Sequence, residues 1–316
     1  MIDENLFKKS ISFWNLKNGE FELLAHRENI TYKVYNLKGS CFVLKFHRKN
    51  YSDYDEIKSE LLWLKNLKSF GMNVPEPILS INNQLIEKIQ DQFITLLEWQ
   101  NGQSLSIIDK IKDYTFRSLV YSNLGEALAE LHLLSDNWVK PHNFNKRKWN
   151  INGLLGNNPI WDKFWKNPEL TKDQSNKLFN LKKKYYSFFI NNENDLNYGL
   201  IHADAVRDNV LVDKSGKVSL IDFDDSGYGF RLFDIATVLF HYINEKDFLN
   251  IKKNIIDGYL KKRDLDFKYL NHFILFRSFT YIGWNISRIN ETNGHERNKK
   301  YIENTFNLIK TLEIEL

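Results

Sequence analysis

The chain has 316 residues, of which 42% are hydrophobic and 15% aromatic, against 27% charged. That much apolar material can bury a large core, so disorder as the main state is excluded, and the length fits one large domain or two lobes. Lys and Arg total 44 against 40 Asp and Glu, and a net +4 spread over such a length does not call for nucleic acid as a partner. The single cysteine, Cys41, excludes an internal disulfide and a cysteine zinc site, so a reducing, cytoplasmic compartment is expected. No run of about 18 apolar residues suggests a membrane span. Residues 1–5 lack the basic-then-apolar pattern of a secretory signal.

From Phe21 to Trp99 the pattern predicts strands around one helix. Segments at 21–25, 32–37 and 40–46 are broken by polar residues at 26–31 and by Lys38-Gly39, as in consecutive antiparallel strands. In the third, Cys41-Phe42-Val43-Leu44-Lys45-Phe46 alternates, which places Lys45 on the face of Cys41 and Val43. A helix is predicted over about 53–69, with Ser52 as its cap and Asp53, Asp55 and Glu56 at the positive end of its dipole. Lys65 and Lys68 suit the other end, and Gly71 and Pro75 stop it. Its apolar stripe is Ile57, Leu61, Leu64 and Leu67, and Glu60 falls inside that stripe. A carboxylate on a buried face costs roughly several kcal/mol unless paired, and Lys45 is a fitting partner. The bland alternative is a partly exposed lysine and a glutamate at the stripe's edge. Two more strands, near 84–89 and 92–98, run into Glu98-Trp99-Gln100-Asn101-Gly102, which divides the chain into 1–98 and 99–316.

The second part carries helical patterns at about 105–134, 170–190, 232–262, 266–289 and 297–313. Between them, 135–169 is irregular and holds Trp149, Trp161 and Trp165. It reads equally as a substrate lid or as a loop anchored by its tryptophans. Late in the chain, Arg277, Tyr281, Trp284 and Arg288 line one helix face. That face would either bind a polar or anionic acceptor through cation and stacking contacts, or simply pack.

The chemistry concentrates in a strand-rich island at 199–222. An apolar strand runs into His202-Ala203-Asp204, then four residues, then Asn209 and the strand Val210-Leu211-Val212. A second strand, Val218-Ser219-Leu220-Ile221, delivers Asp222, and a turn at Lys214-Ser215-Gly216 would bring it back beside Asn209. Three oxygen-bearing side chains, Asp204, Asn209 and Asp222, are therefore expected to converge. Mg²⁺ wants oxygen ligands, which Asn209 and Asp222 offer. A carboxylate beside the accepting hydroxyl must orient it and take its proton, a role that suits Asp204.

The loop His202-Ala203-Asp204…Asn209, followed by Ile221-Asp222-Phe223-Asp224-Asp225, resembles the catalytic and metal motifs of the aminoglycoside phosphotransferase-like branch of the protein-kinase-like superfamily. That branch holds antibiotic, choline, homoserine and fructosamine kinases and a stress-response Ser/Thr kinase. The run from Asp224 through Phe233-Asp234-Ile235-Ala236, and Trp161-Asp162-Lys163-Phe164-Trp165 upstream, extend the likeness over most of the chain. The resemblance implies an α+β, bilobal protein-kinase-like fold, with an N-terminal antiparallel sheet carrying one helix and a larger, mainly helical C-terminal lobe. It implies ATP as cofactor, with GTP as the alternative donor, and Mg²⁺.

By the same likeness, Lys45 holds the α- and β-phosphates, Glu60 positions Lys45, and the backbone of Glu98–Asn101 offers adenine its hydrogen bonds. His202 would brace the loop, and Asp234 would fix its backbone or cap a helix. Asp225, beside Asp224, would extend the acidic site, and Trp161, Arg277, Tyr281, Trp284 and Arg288 stand on the acceptor side. Two departures are visible. Residues 26–31 contain no glycine, and Ala205-Val206-Arg207 stands where relatives commonly have Leu-His-Pro. Arg207 would touch a phosphate or pair with Asp208. Asp222-Phe223-Asp224 replaces Asp-Phe-Gly and no Ala-Pro-Glu follows, so a small-molecule hydroxyl is the expected acceptor. The competing expectations are a stress-response Ser/Thr kinase and a nucleotide-binding module that has lost catalysis. The acceptor's identity and the oligomeric state stay open.

Overall fold

The computed structural model describes residues 2–26, 29–49 and 51–311. Residues 27–28 of the polar, glycine-free stretch 26–31 and 312–313 of the last expected helix lie outside the described residues. In chain order the elements begin with α1 (Glu4–Ser12), β1 (Leu16–His26), β2 (Ile30–Asn36), β3 (Cys41–Phe46), α2 (Tyr54–Ser69), β4 (Glu87–Ile89) and β5 (Gln92–Glu98). There follow β6 (Gln103–Ser104), α3 (Leu105–Ile108), α4 (Tyr114–Asp136), β7 (Arg147–Trp149), α5 (Ile151–Leu155) and α6 (Lys172–Asn191). The last are β8 (Tyr198–Ile201), β9 (Val210–Val212), β10 (Val218–Leu220), β11 (Gly227–Phe230), α7 (Arg231–Phe240), α8 (Phe248–Leu260), α9 (Leu270–Trp284) and α10 (Gly294–Thr311).

The chain falls into two compact units, and the first combines Met1–Val120, Leu133–Lys146 and Asp208–Asp224. Its main sheet is antiparallel in the order β1-β2-β3-β5-β4. Phe7, Ile11 and Trp14 pack with Tyr32, Val34, Leu44, Phe46 and Leu96 into one core. Helix α1 was not among the expected elements, although Phe7, Ile11 and Trp14 recur at helical spacing and Asp3 caps its first turn. In α2 the cap is Asp53, one residue later than Ser52, in a reciprocal box with Glu56. That helix buries Ile57, Leu61, Trp63, Leu64 and Leu67 together with Glu60. The Trp63 ring meets Phe223 edge-on and its indole N–H donates to Ser135. A smaller sheet, β10-β9-β6, lies in the same unit.

The second unit combines Tyr121–His132, Arg147–Arg207 and Asp225–Leu316. Its sheet pairs β11 with β7 in parallel and with β8 antiparallel. The rest is helical, around α9, whose residues 270 and 272–283 are all buried. Two long expected helices are each broken in two. The pattern at 105–134 splits between α3 and α4, where the Asp113 carboxylate accepts the N–H of Phe116 and starts a new helix. The pattern at 232–262 splits between α7 and α8. The stretch 135–169 contains β7 and α5, and Trp149 and Trp165 are buried, as an anchored loop requires. Among the described residues, no helix is long and apolar enough to cross a membrane.

Candidate active site

In the first unit the hairpin of β9 and β10 does what the turn at 214–216 implied. Val210 pairs with Leu220, and the N–H of Ile221 donates to the carbonyl of Asn209 at 3.0 Å. Asp222, the next residue, therefore leaves the ladder beside Asn209. Its φ of +63° is a left-handed conformation that a non-glycine residue adopts at a cost of about 1–3 kcal/mol, a strain that clusters at functional positions.

Lys45 enters from β3, on the face of Cys41 and Val43, and is buried together with Leu44 and Phe46 at the covered end of the strand. Its ammonium donates to Asp222 Oδ1 at 3.0 Å and to Asp224 Oδ1 at 2.7 Å. The direct Lys45–Glu60 ion pair expected from the sequence is not formed. Glu60 is buried on α2 as predicted, but its carboxylate meets Lys146 Nζ at 3.6 Å. Lys146 comes from the aperiodic stretch after α4, where no spacing announced it. Asp224 also accepts from the side chain of Asn29.

The charges in this cluster act on one another. Burial alone would lower Lys45, but Asp222, Asp224 and Glu60 hold its ammonium well above the usual range. Burial would raise Asp224, yet Lys45 holds it below the ordinary carboxylate value. Desolvation raises Asp222 against the pull of Lys45, and Asp224 adds to the rise. The side chain of Asp222 is 47% exposed, so the rise is smaller than full burial would produce. Burial and Asp224 raise Glu60, while Lys146 and Lys45 pull it down. Three carboxylates stand against two ammonium groups, an acidic excess that a divalent cation would relieve. Asn209 and Asp222 present oxygen donors, so the set fits a hard ion such as Mg²⁺.

In the second unit the turn 202–204 follows β8. Ala203 has φ +64°, and Asp234, fully buried at the start of α7, holds it there. The Asp234 carboxylate accepts the N–H of His202 at 2.8 Å and of Ala203 at 2.6 Å, and contacts His132 Nε2 at 3.0 Å. Burial would raise this carboxyl, but its hydrogen bond to His132 and the neighbouring histidines hold it down. His202 itself is buried, and its Nδ1 accepts the N–H of Asp204 at 3.3 Å, which ties it to the turn. Asp204 points its Oδ1 at Arg277 Nη2, 2.7 Å away, with its side chain 24% exposed.

The remaining candidates divide. Asp225 accepts from Arg147 at 2.7 Å and its carbonyl accepts from the indole of Trp149 at 2.8 Å, so this carboxylate is used inside the fold. Arg207 lies 5.8 Å over the Tyr242 ring, while Asp208 accepts from the hydroxyl of Ser106. Arg277 and Tyr281 are buried, with Tyr281 Oη accepting from Arg277 at 3.1 Å. Burial pushes the Tyr281 phenol above its usual range, and Arg277 opposes the shift. Trp161 packs against Trp149, Tyr281 and Trp284, and Arg288 stacks on Trp284 at 4.4 Å. The Glu98 carboxylate takes Lys68 at 2.6 Å, and its N–H is donated to the carbonyl of Glu76, while Asn101 is exposed.

A lysine facing two aspartates beside a turn that carries Asn209 offers the charges that phosphoryl transfer requires. The model of the phosphotransferase enzyme family matches residues 20–267, well over half of the chain. The chain belongs to that family. This phosphotransferase is 22% identical over 248 residues to the amicoumacin kinase of Bacillus subtilis, covering 76% of this chain and 68% of the relative. Among solved structures, a microcompartment-associated aminopropanol kinase superposes with a TM-score of 0.81 at 24% identity, covering 97% of this chain and 95% of its own. An amicoumacin kinase in complex with AMP-PNP, Ca²⁺ and Ami gives 0.78 at 20% identity, covering 98% and 94%. The kinase-like α+β fold is thereby shown, and the relatives are small-molecule kinases.

Proposed function

We propose that this phosphotransferase moves the γ-phosphoryl group of ATP, with Mg²⁺, to a hydroxyl of a small molecule of amino alcohol, amino acid, sugar or aminoglycoside type. The observation that carries the reading is the contact of Lys45 with Asp222, 3.0 Å, beside Asn209. Phosphoryl transfer is mostly positioning and charge stabilisation, so a phosphate-binding cation and metal-binding oxygens must lie close together. Bound Mg²⁺ would supply neutralisation of the phosphate charge, held by Asn209 and Asp222.

In this reading Lys45 turns from the two aspartates to the α- and β-phosphates, and Glu60, paired with Lys146, acts on the lysine only through space. The backbone after Glu98 takes adenine. Asp204 orients the acceptor hydroxyl and receives its proton as the new oxygen–phosphorus bond forms and the bond from the γ-phosphorus to the bridging oxygen breaks, releasing ADP. Residues 1–98 form the nucleotide side and 99–316 the catalytic and acceptor side. An amino alcohol as acceptor is supported by the aminopropanol kinase among the structural neighbours.

The test is ADP release from purified protein with ATP and Mg²⁺ against 1-amino-2-propanol, choline, homoserine, a sugar alcohol, an aminoglycoside and casein. Turnover on one of the small molecules is expected, abolished by Asp222→Ala. Asp204→Asn should keep nucleotide binding and lose transfer. Transfer to casein alone, or ATP binding without turnover on any acceptor, overturns the proposal.

A further inference from the structure

Arg277 stands on α9 with no exposed surface; its Nε has no hydrogen-bond partner among the described residues, so its two Nη atoms and the rings around it must offset the cost of withdrawing the guanidinium from water. Nη1 donates to the carbonyl of Ala203 at 3.1 Å, and Nη2 donates to Asp204 Oδ1 at 2.7 Å and to the hydroxyl of Tyr281 at 3.1 Å. The rings of Tyr281, Trp161 and Phe233 wall the group at 4.4, 4.9 and 5.5 Å. Ala203, in its left-handed conformation, is thus gripped from both sides. Asp234 takes its N–H and Arg277 takes its carbonyl.

We infer that Arg277 is a positioning residue for Asp204, and not a contact of the acceptor. Its two Nη atoms tie the strained turn and the carboxylate that follows it into one rigid piece. The inference rests on the proposed role of Asp204. A carboxylate offers about four lone-pair sites, and Arg277 occupies one on Oδ1, which sets the rotamer in which the others meet the acceptor hydroxyl. The fork of arginine matters here. A lysine ammonium is one point charge on a flexible stem and does not bridge a carbonyl and a carboxylate in fixed geometry. A displacement of about 1 Å in a catalytic group costs on the order of 10²-fold in rate.

The experiment compares Arg277→Lys, Asp204→Asn and the double variant with the wild type, using the acceptor from the panel above that the wild type turns over. Arg277→Lys is expected to lower kcat about 10²-fold while leaving the KM for acceptor and ATP within about twofold. The double variant should be no slower than Asp204→Asn alone, because residues acting as one unit are not additive. Wild-type kcat in Arg277→Lys overturns the inference. So does a raised acceptor KM at unchanged kcat, which would make Arg277 a substrate contact, and so does a double variant slower than Asp204→Asn. Full activity in Asp204→Asn is a separate result, since it removes the base assignment itself. A crystal structure of Arg277→Lys needs no acceptor: the Asp204 carboxylate is expected in a changed rotamer, and an unmoved carboxylate and turn overturn the inference.

Discussion

Replacing Asp234 with asparagine tests how the turn before Asp204 is held. The change keeps the shape of the side chain and turns one oxygen into an amide nitrogen. The native carboxylate, fully buried, accepts from the N–H of His202 at 2.8 Å, from the N–H of Ala203 at 2.6 Å and meets His132 Nε2 at 3.0 Å. Each oxygen serves a backbone N–H, so either orientation of the amide leaves one buried N–H facing another donor. An orphaned buried donor costs about 1–3 kcal/mol, and the surviving bond weakens as its acceptor loses charge. A net loss of about 2–4 kcal/mol follows, after allowance for the relief of no longer burying a charge. Because Ala203 sits at φ +64°, the same loss loosens the turn and lowers kcat. Equilibrium urea unfolding monitored by circular dichroism reads the stability, with an unchanged slope and a lower midpoint expected. A loss below about 0.5 kcal/mol, within the range of ordinary surface changes, together with wild-type kcat, would refute the reasoning.

Gly258→Ala should destabilise the protein although alanine favours helix by about 1 kcal/mol, because the new Cβ on α8 would lie 2.0 Å from the carbonyl oxygen of Ser122 on α4. A net cost of about 1–3 kcal/mol is expected from overpacking, and a melting temperature at or above wild type would contradict it. Four histidines are held below their usual 6.5 chiefly by burial, His47 and His241 to about 3, and His132 and His272 to about 4. The unfolded chain then binds protons that the folded chain refuses, so stability should fall as pH drops from 6.5 toward 4, with His132 alone contributing on the order of 3 kcal/mol. Urea midpoints that stay level between pH 7 and pH 5 would count against this. Asn209→Ala should raise the Mg²⁺ concentration for half-maximal transfer about tenfold or more at fixed ATP, whereas an unchanged Mg²⁺ titration would remove Asn209 from the metal site.

Much of the site was legible because it is local. The stripe on α2 buried Glu60, whereas Lys45 is buried together with Leu44 and Phe46, because the end of β3 is covered on both faces and not because the strand alternates. Asn209 and Asp222 lie on one tight hairpin, so a turn signal at 214–216 was enough to place them side by side. The loop-holding role of Asp234 followed from the likeness and is met by its two backbone hydrogen bonds. What stayed hidden was the choice of partner. Glu60 went to Lys146, Asp225 to Arg147, and Arg277 to Asp204, and the helix face expected to run from Arg277 to Arg288 ends at Trp284, with Arg288 in a separate turn.

Backbone geometry repeats every two or 3.6 residues, so a face or a turn is written within a dozen positions of the amino-acid order. Which opposite charge a buried group meets is written nowhere locally, because the low polarity of the interior demands a partner without specifying where in the chain it comes from. Lys45 and Asp222 are 177 positions apart, and Arg277 and Asp204 are 73 apart. The order of residues determined which groups turn inward and which chemistry they carry, while only the packing of distant segments decided how those groups are held.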